Sequence, residues 1–151
     1  MSVTALAIDR REAVLDGRPF GAAGGYEKIV GTLRFAVEPL HPLHRAITDL
    51  ALAPRNRDGR VEFSGDFYVL RPVDARRGNG ALIVDVPNRG RKVALGMFNS
   101  TPRAADPATE ADFGNGFLMR HGWTVAWVGW QYDVPHVDPA TWRLNISGRL
   151  G

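Results

Sequence analysis

Apolar and polar side chains alternate over much of the first half of the chain, which is typical of strands with one buried face. Four segments show this alternation or a short apolar run and are predicted to be strands: residues 3–8, 33–37, 47–52 and 61–69. Asp58 and Gly59 are a pair that often reverses hairpins, and Gly65 interrupts the last segment as a bulge would. Residues 1–73 are therefore predicted to form an antiparallel, β-rich part of the fold.

The pattern changes in the second half of the chain. Residues 81–86 and 123–130 are almost continuously apolar, as expected of strands covered on both faces of a mixed or parallel sheet. Between them, residues 109–121 begin with a threonine and an aspartate at capping positions and end before a glycine, which predicts a helix. Residues 80–135 are therefore predicted to form a strand-loop-helix-strand unit with the crossover of a parallel sheet.

These two parts together predict an α/β fold with a mixed sheet, in which an antiparallel β-rich first half is followed by one strand-helix-strand crossover. An α/β protein normally covers its last strand with a helix. Within the tail, residues 136–151, only residues 142–146 are suited to a further strand, and no helix follows them. Residues 1–151 are therefore predicted to form a single incomplete domain.

The composition excludes several classes of site and partner. The chain has no cysteine, which excludes disulfides, thiolate metal sites and a cysteine nucleophile. Its net charge of +3 is spread over alternating acidic and basic residues, so no nucleic-acid partner is predicted. No apolar run approaches the roughly 18 residues of a membrane span, and the N-terminal residues lack the features of a secretory signal. The sequence therefore predicts a cytoplasmic protein without a membrane contact, and it leaves the oligomeric state open.

Two histidines are the candidates for a metal site. His41 and His44 are spaced i, i+3 and Asp49 follows them, a set that can bind zinc. Both histidines lie in a segment interrupted by Pro39 and Pro42, which favours a surface loop over a metal site. No metal and no other cofactor is predicted.

No serine has the surroundings of a hydrolase nucleophile. That nucleophile occupies a sharp turn between a strand and a helix and needs small residues two positions before and after it. Ser64 has Glu62 and Asp66 at these positions, and the other three serines are placed no better. Candidate acids and bases such as Asp85 and His121 therefore have no nucleophile to serve, and no catalytic residue is predicted.

The loop at residues 87–92 combines backbone and charge in a way that suits a ligand site. It leaves the carboxyl end of a predicted buried strand, where open α/β sheets bind ligands, and Gly90 allows main-chain N–H groups to face a ligand. Asn88, Arg89 and Gly90 are the candidate site residues. Two other interpretations stay open: the basic residues of the loop form an anion-binding patch, or the loop is a solvated structural turn.

Four longer segments resemble a family of bacterial α/β-hydrolase domain proteins. They are residues 20–27 (FGAAGGYE), 47–56 (ITDLALAPRN), 81–92 (ALIVDVPNRGRK) and 116–133 (GFLMRHGWTVAWVGWQYD). The last two are also similar to hydrolases in general, in which a strand ends in an oxyanion-hole loop and a helix ending Arg-His-Gly precedes an aromatic or valine-rich strand. The resemblance covers the chain to about residue 135.

This resemblance implies the N-terminal part of an α/β-hydrolase-like fold and places Arg89 and Gly90 in an oxyanion-hole loop. It also implies hydrolysis of a small-molecule substrate, an ester or a related carboxylic-acid derivative, by a longer protein. Family members carry the nucleophilic serine, the acid and the histidine downstream of the stretch that this chain matches. The chain is therefore expected to be a truncated product or a partial sequence, inactive alone. The alternative is a standalone β-rich binding module for an anionic ligand or a protein partner.

Overall fold

Six strands form one sheet in the computed structural model, which describes residues 2–102, 104–134 and, by their main chain only, 146–148. The strands are β1 (Ser2–Ala13), β2 (Tyr26–Val37), β3 (Val61–Pro72), β4 (Leu82–Asp85), β5 (Thr124–Val128) and β6 (Ile146–Gly148). Their order is β1-β2-β3-β5-β4, and β6 pairs with the first half of β3 while β5 pairs with its second half. β4 and β5 are parallel, and the other pairings between these strands are antiparallel.

The helical segments are short. The α-helices α1 (Ala94–Phe98), α2 (Glu110–Phe113) and α3 (Phe117–Arg120) each make about one turn and lie in the connection between β4 and β5. Single 3-10 turns occur in the other connections, at Val14–Gly17, Gly21–Ala23, Pro42–His44, Leu50–Leu52 and Ala75–Arg77. Of the helices described here, none is long and apolar enough to span a membrane.

One face of the sheet carries the core because the period-2 alternation of each strand brings its inward residues into rows with those of its neighbours. The inward residues of β2 to β5 are Tyr26, Lys28, Val30, Tyr68, Leu70, Ile83, Asp85, Val125 and Trp127. The connection between β4 and β5 packs Leu95, Phe113, Leu118 and Met119 into the same cluster. Trp127 is fully buried in it, and its ring meets the ring of Tyr68 edge to face at 5.5 Å. The core therefore lies between the sheet and this connection.

The predicted α/β fold class, the N-terminal part of an α/β-hydrolase-like fold, is wrong. The described strands form a single mixed sheet that is mostly antiparallel, and one-turn helices stand where covering helices were predicted. The predicted helix at residues 109–121 is divided into α2 and α3. The reason is that Gly114 and Gly116, with φ of 52° and 64°, adopt backbone angles that end a helix. The crossover therefore folds as a series of turns.

The strand predictions are confirmed in two respects. Residues 3–8, 33–37 and 61–69 lie within the antiparallel strands β1, β2 and β3. β4 and β5 lie side by side and parallel, with Leu82 opposite Thr124 and Asp85 opposite Trp127. The capping box of Thr109 and Asp112 is also present.

The predicted burial of residues 81–86 on both faces is wrong, because Leu82 and Val84 are 56% and 57% exposed. They point away from the core face. β4 therefore has one covered and one open face within the described sheet.

Two local predictions for the first half are also wrong. Residues 47–52 contain a 3-10 turn in place of a strand, since Asp49 has φ of 58° and its carbonyl accepts a hydrogen bond from Leu52. Gly65 pairs with Leu33 in an unbroken register, so it is no bulge, and the register shifts occur in β1 instead. Of the predicted strand at residues 142–146, residues 142–145 lie outside the described residues and Ile146 begins β6.

Candidate functional site

The loop at residues 87–92 leaves the sheet where β4 ends, next to the end of the parallel strand β5. Carboxyl ends of parallel strands are the usual place for ligands on an open sheet, because the following loops leave the sheet there. Asn88, Arg89 and Gly90 thus lie directly after the end of β4. Asn88 and Arg89 are exposed, whereas Gly90 is buried.

The loop is a tight turn with an unusual backbone. Asn88 and Arg91 face each other as a short antiparallel bridge, and the Arg91 N–H donates to the Asn88 carbonyl at 3.2 Å. Arg89 and Gly90 both have left-handed backbone angles, with φ of 55° and 72°. For a residue with a side chain such as Arg89 this conformation costs on the order of 1 kcal/mol, so the surrounding contacts must hold it.

Residues 130–133, which follow β5, supply those contacts. The main-chain N–H of Arg89 donates to Oε1 of Gln131 at 2.5 Å, and the Arg89 guanidinium forms an ion pair with Asp133. The indole Nε1 of Trp130 donates to the carbonyl of Pro87, also at 2.5 Å. The loop is therefore fastened by three side chains, and a side-chain oxygen occupies the acceptor position in front of the Arg89 N–H.

Asp85 anchors the far side of the loop. Its Oδ2 accepts hydrogen bonds from the main-chain N–H groups of Val93 and Ala94, each at 2.8 Å, and from the Trp127 indole at 2.5 Å. The carboxylate thus joins the end of β4 to the start of α1 and to β5. This places Asp85 in a structural role that fixes both ends of the candidate loop.

Lys92, the last residue of the loop, points into the protein. It is buried, its Nζ donates to the carbonyl of Ala105, and the same atom lies 3.7 Å from the centre of the Tyr68 ring. Burial lowers the pKa of Lys92 to about 7, although the carboxylate of Asp106 opposes this shift. The interpretation of the loop as a patch of surface charge is therefore wrong for Lys92.

A partly buried polar cluster, which the sequence did not reveal as a unit, is centred on Asp106. The Asp106 carboxylate accepts hydrogen bonds from Tyr68 at 2.9 Å, from Lys28 at 2.8 Å and from Arg10 at 2.7 Å. Burial acts to raise the pKa of Asp106, but these hydrogen bonds outweigh it and lower the pKa to about 2. Lys28 also forms an ion pair with Glu12 at 2.7 Å.

One sequence signal does point to this cluster. Lys28 lies between Tyr26 and Val30 in the alternating pattern, at a position that faces inward. A lysine on a buried face must be paired, so an acidic partner was predictable. That this partner is Asp106, 78 residues further along the chain, was not.

Each histidine among the described residues contacts a residue that lies close to it in the sequence. The His41 Nδ1 accepts from the Leu43 main chain, the His44 Nδ1 donates to the Glu38 carbonyl, and the His121 ring packs against Phe117 at 4.6 Å. In the part of the chain that the structure describes, no group of three or more histidine and acidic side chains is placed to hold a metal ion.

Comparison of the chain with models of protein families, with curated proteins and with solved structures found no match.

Proposed function

We propose that the loop at residues 87–92 binds an oxyanion through the main-chain N–H of Arg89. In this proposal the chain supplies the oxyanion-binding part of an enzyme that hydrolyses esters or related carboxylic-acid derivatives. The observation that carries the proposal is the hydrogen bond from Arg89 N–H to the side chain of Gln131. This N–H is not used by the main chain of a strand or helix, so it is available to any oxygen that replaces the Gln131 amide.

The chemistry favours replacement of the Gln131 amide oxygen by a ligand oxyanion as the acceptor of the Arg89 N–H. Gln131 offers a neutral amide oxygen on a flexible side chain, whereas a carboxylate or a tetrahedral oxyanion would accept a stronger, charge-assisted hydrogen bond from the same N–H. The donor belongs to the main chain of a fastened turn, which limits the reorganisation needed on binding. Arg89 has a left-handed backbone conformation. Residues other than glycine keep this conformation only where the surrounding structure imposes it, and such residues are found often in functional loops.

The hydrolase part of the proposal rests on the resemblance of residues 81–92 and 116–133. The proposed substrate is a small molecule, the proposed compartment is the cytoplasm, and nucleic acid is not a proposed partner. The chain offers no serine in a nucleophile elbow, so in this proposal the nucleophile is not one of residues 1–151.

A standalone binding module for an anionic ligand is the second candidate. The same loop supports it, because Arg91 adds an exposed positive charge beside Arg89. The two candidates differ in the ligand: an acyl-transfer site must accept an uncharged ester carbonyl, whereas an anion module needs the negative charge.

The first test is a titration with sodium acetate. Binding is monitored by the chemical shift of the Arg89 amide in nitrogen-proton correlation spectra. We expect this resonance to shift in a saturable way. Gln131→Ala should tighten acetate binding by about fivefold, because the competing hydrogen bond is worth about 1 kcal/mol. Gln131→Glu is the matched control and should weaken binding, since it places a carboxylate in the same position. An unperturbed Arg89 amide, or equal affinities in all three proteins, would contradict the proposal.

A second test separates the two candidates. We expect ethyl acetate to displace acetate from the loop if the site serves acyl transfer, and to leave it in place if the loop is an anion module. Neither candidate predicts hydrolysis of p-nitrophenyl acetate by this chain above the rate in buffer. Turnover that is lost when one of the four serines is replaced by alanine would overturn the proposal that the chain lacks its own nucleophile.

A further inference from the structure

A groove of about 580 Å³ lies between residues 54–56 and the half of β2 and β3 that is remote from the core. Its lining includes Arg34, Arg55, Thr4, Thr32, Ser64 and Glu62. Arg34 follows Val30 by four residues in an extended strand, which places it about 13 Å further along the sheet than the core. The groove is therefore separate from the loop at residues 87–92.

The position of Arg34 explains why the groove is polar. Strand alternation puts Thr32 and Arg34 on the same face as Val30, with Ser64 of β3 opposite Arg34. The connection between β4 and β5 packs its buried residues against this face at the core cluster. Beyond it, the loop between β2 and β3 turns back and forms the other wall of the groove.

The charges in the groove are incompletely paired. Among the residues that the structure describes, no side chain forms an ion pair with the Arg34 guanidinium, whereas the main chain of Arg34 pairs with Ser64 of β3. Arg55 donates from Nη2 to the carbonyl of Ala51 at 3.2 Å, which uses one of its several donors. The carboxylate of Glu62, which also lines the groove, accepts a hydrogen bond from the side chain of Asn56 at 2.7 Å. Two guanidinium groups therefore remain able to bind an anion.

We propose that this groove binds an organic oxyanion that carries hydroxyl groups, a sugar phosphate or a sugar acid. Arginine is the side chain best suited to the oxygens of phosphate and carboxylate groups, which it binds with two parallel hydrogen bonds. The hydroxyl groups of Thr4 and Thr32 both donate and accept, as recognition of a ligand hydroxyl requires. The volume falls within the range of small-molecule sites and exceeds what an inorganic ion fills.

The test is a set of calorimetric titrations with glucose 6-phosphate, gluconate, inorganic phosphate and glucose. We expect at least one of the first two to bind at least tenfold more tightly than phosphate or glucose, and the tighter of them identifies the oxyanion. Arg34→Gln and Arg55→Gln should each weaken this binding by about tenfold, the effect of losing one charge-assisted hydrogen bond. Arg57→Gln is the matched control, since Arg57 is exposed in the same loop but does not line the groove.

Three results would overturn the proposal. They are phosphate binding as tight as that of the organic anions, an equal loss in Arg57→Gln, and no binding by a chain that still unfolds cooperatively. None of these results involves Arg89. The oxyanion proposal for the loop at residues 87–92 is tested separately, by the acetate titration.

Discussion

Trp127→Ala is expected to lower the free energy of unfolding by about 3–5 kcal/mol, the usual cost of deleting a large buried aromatic side chain. Trp127 has no exposed surface, packs edge to face on Tyr68 and donates its indole N–H to Asp85. Domains of this size are stable by about 5–15 kcal/mol, so the loss is a large part of the total. Urea unfolding, monitored by far-UV circular dichroism, measures the free energy of unfolding. This signal does not depend on the tryptophan that is removed.

Two variants calibrate this result. Trp127→Phe keeps most of the buried ring but removes the hydrogen bond to Asp85, whose Oδ2 still accepts from two main-chain N–H groups. It should therefore cost clearly less than Trp127→Ala. Leu43→Ala, at a side chain that is 84% exposed, should change stability by less than about 0.5 kcal/mol. A loss below about 1 kcal/mol in Trp127→Ala would show that the core does not lie between the sheet and the β4–β5 connection.

Lys92 is expected to make the stability of the protein rise with pH above neutrality. Its pKa is about 7 in the folded protein because of burial, against the usual 10.5 of an exposed lysine. Between these values the unfolded chain binds a proton that the folded protein does not, so unfolding becomes harder as pH increases. The slope for one proton is about 1.4 kcal/mol per pH unit. Below pH 7 both states bind the proton, and the full cost of burying the charge is present.

Lys92→Met tests this expectation because methionine fills a similar volume without a charge. We expect the variant to be more stable than the parent protein at pH 6.5, by a few kcal/mol, and to lack the rise between pH 7 and 9.5. Urea unfolding at four pH values in this window measures both effects. Lys92→Arg is the control: a guanidinium stays charged throughout, so this variant should lack the rise and be destabilised at every pH.

The pKa shifts of Tyr68 and Asp106 affect stability outside this pH window. Burial raises the pKa of Tyr68, which lowers stability only as pH rises above about 10. The lowered pKa of Asp106, about 2, contributes stability that is present above pH 4 and is lost as the pH falls toward 2. A parent protein whose stability is flat from pH 7 to 9.5, or a Lys92→Met variant that keeps the slope, would show that Lys92 is not buried as the structure has it.

The strands of the fold were predictable to a large extent because their signal is local. Alternation over two or three pairs of residues indicates a half-buried strand, and it located β1, β2 and β3. The helix at residues 109–121 was not predicted correctly, although its first capping box is real. Its apolar positions are compatible with a helix, but both Gly114 and Gly116 have positive φ, and Gly114 lies close to the main chain of Asn99. Only the packed structure requires this close approach.

At the candidate site, too, the sequence predicted the local backbone but not the contacts between distant residues. Gly90 and its basic neighbours indicated a turn, and Asn88, Arg89 and Gly90 do lie in a turn at the end of β4. Nothing near them in the sequence indicated that Gln131 and Asp133 would contact Arg89. Those contacts depend on the pairing of β4 with β5, which brings together residues about 40 positions apart.

The sequence by itself indicated strands β1 to β5, and it showed that the chain has no cysteine and no serine with the surroundings of a nucleophile elbow. These properties depend on residue type and on spacings of a few positions, which act before any long-range contact forms. Tertiary structure alone decided that Lys92 points inward, that Asp106 pairs with Lys28, and that Arg34 lines a groove. Each of these outcomes depends on contacts between segments that are distant in the sequence, which residue type and local spacing do not specify. For Lys28 and Lys92 these contacts also remove water from the side chain.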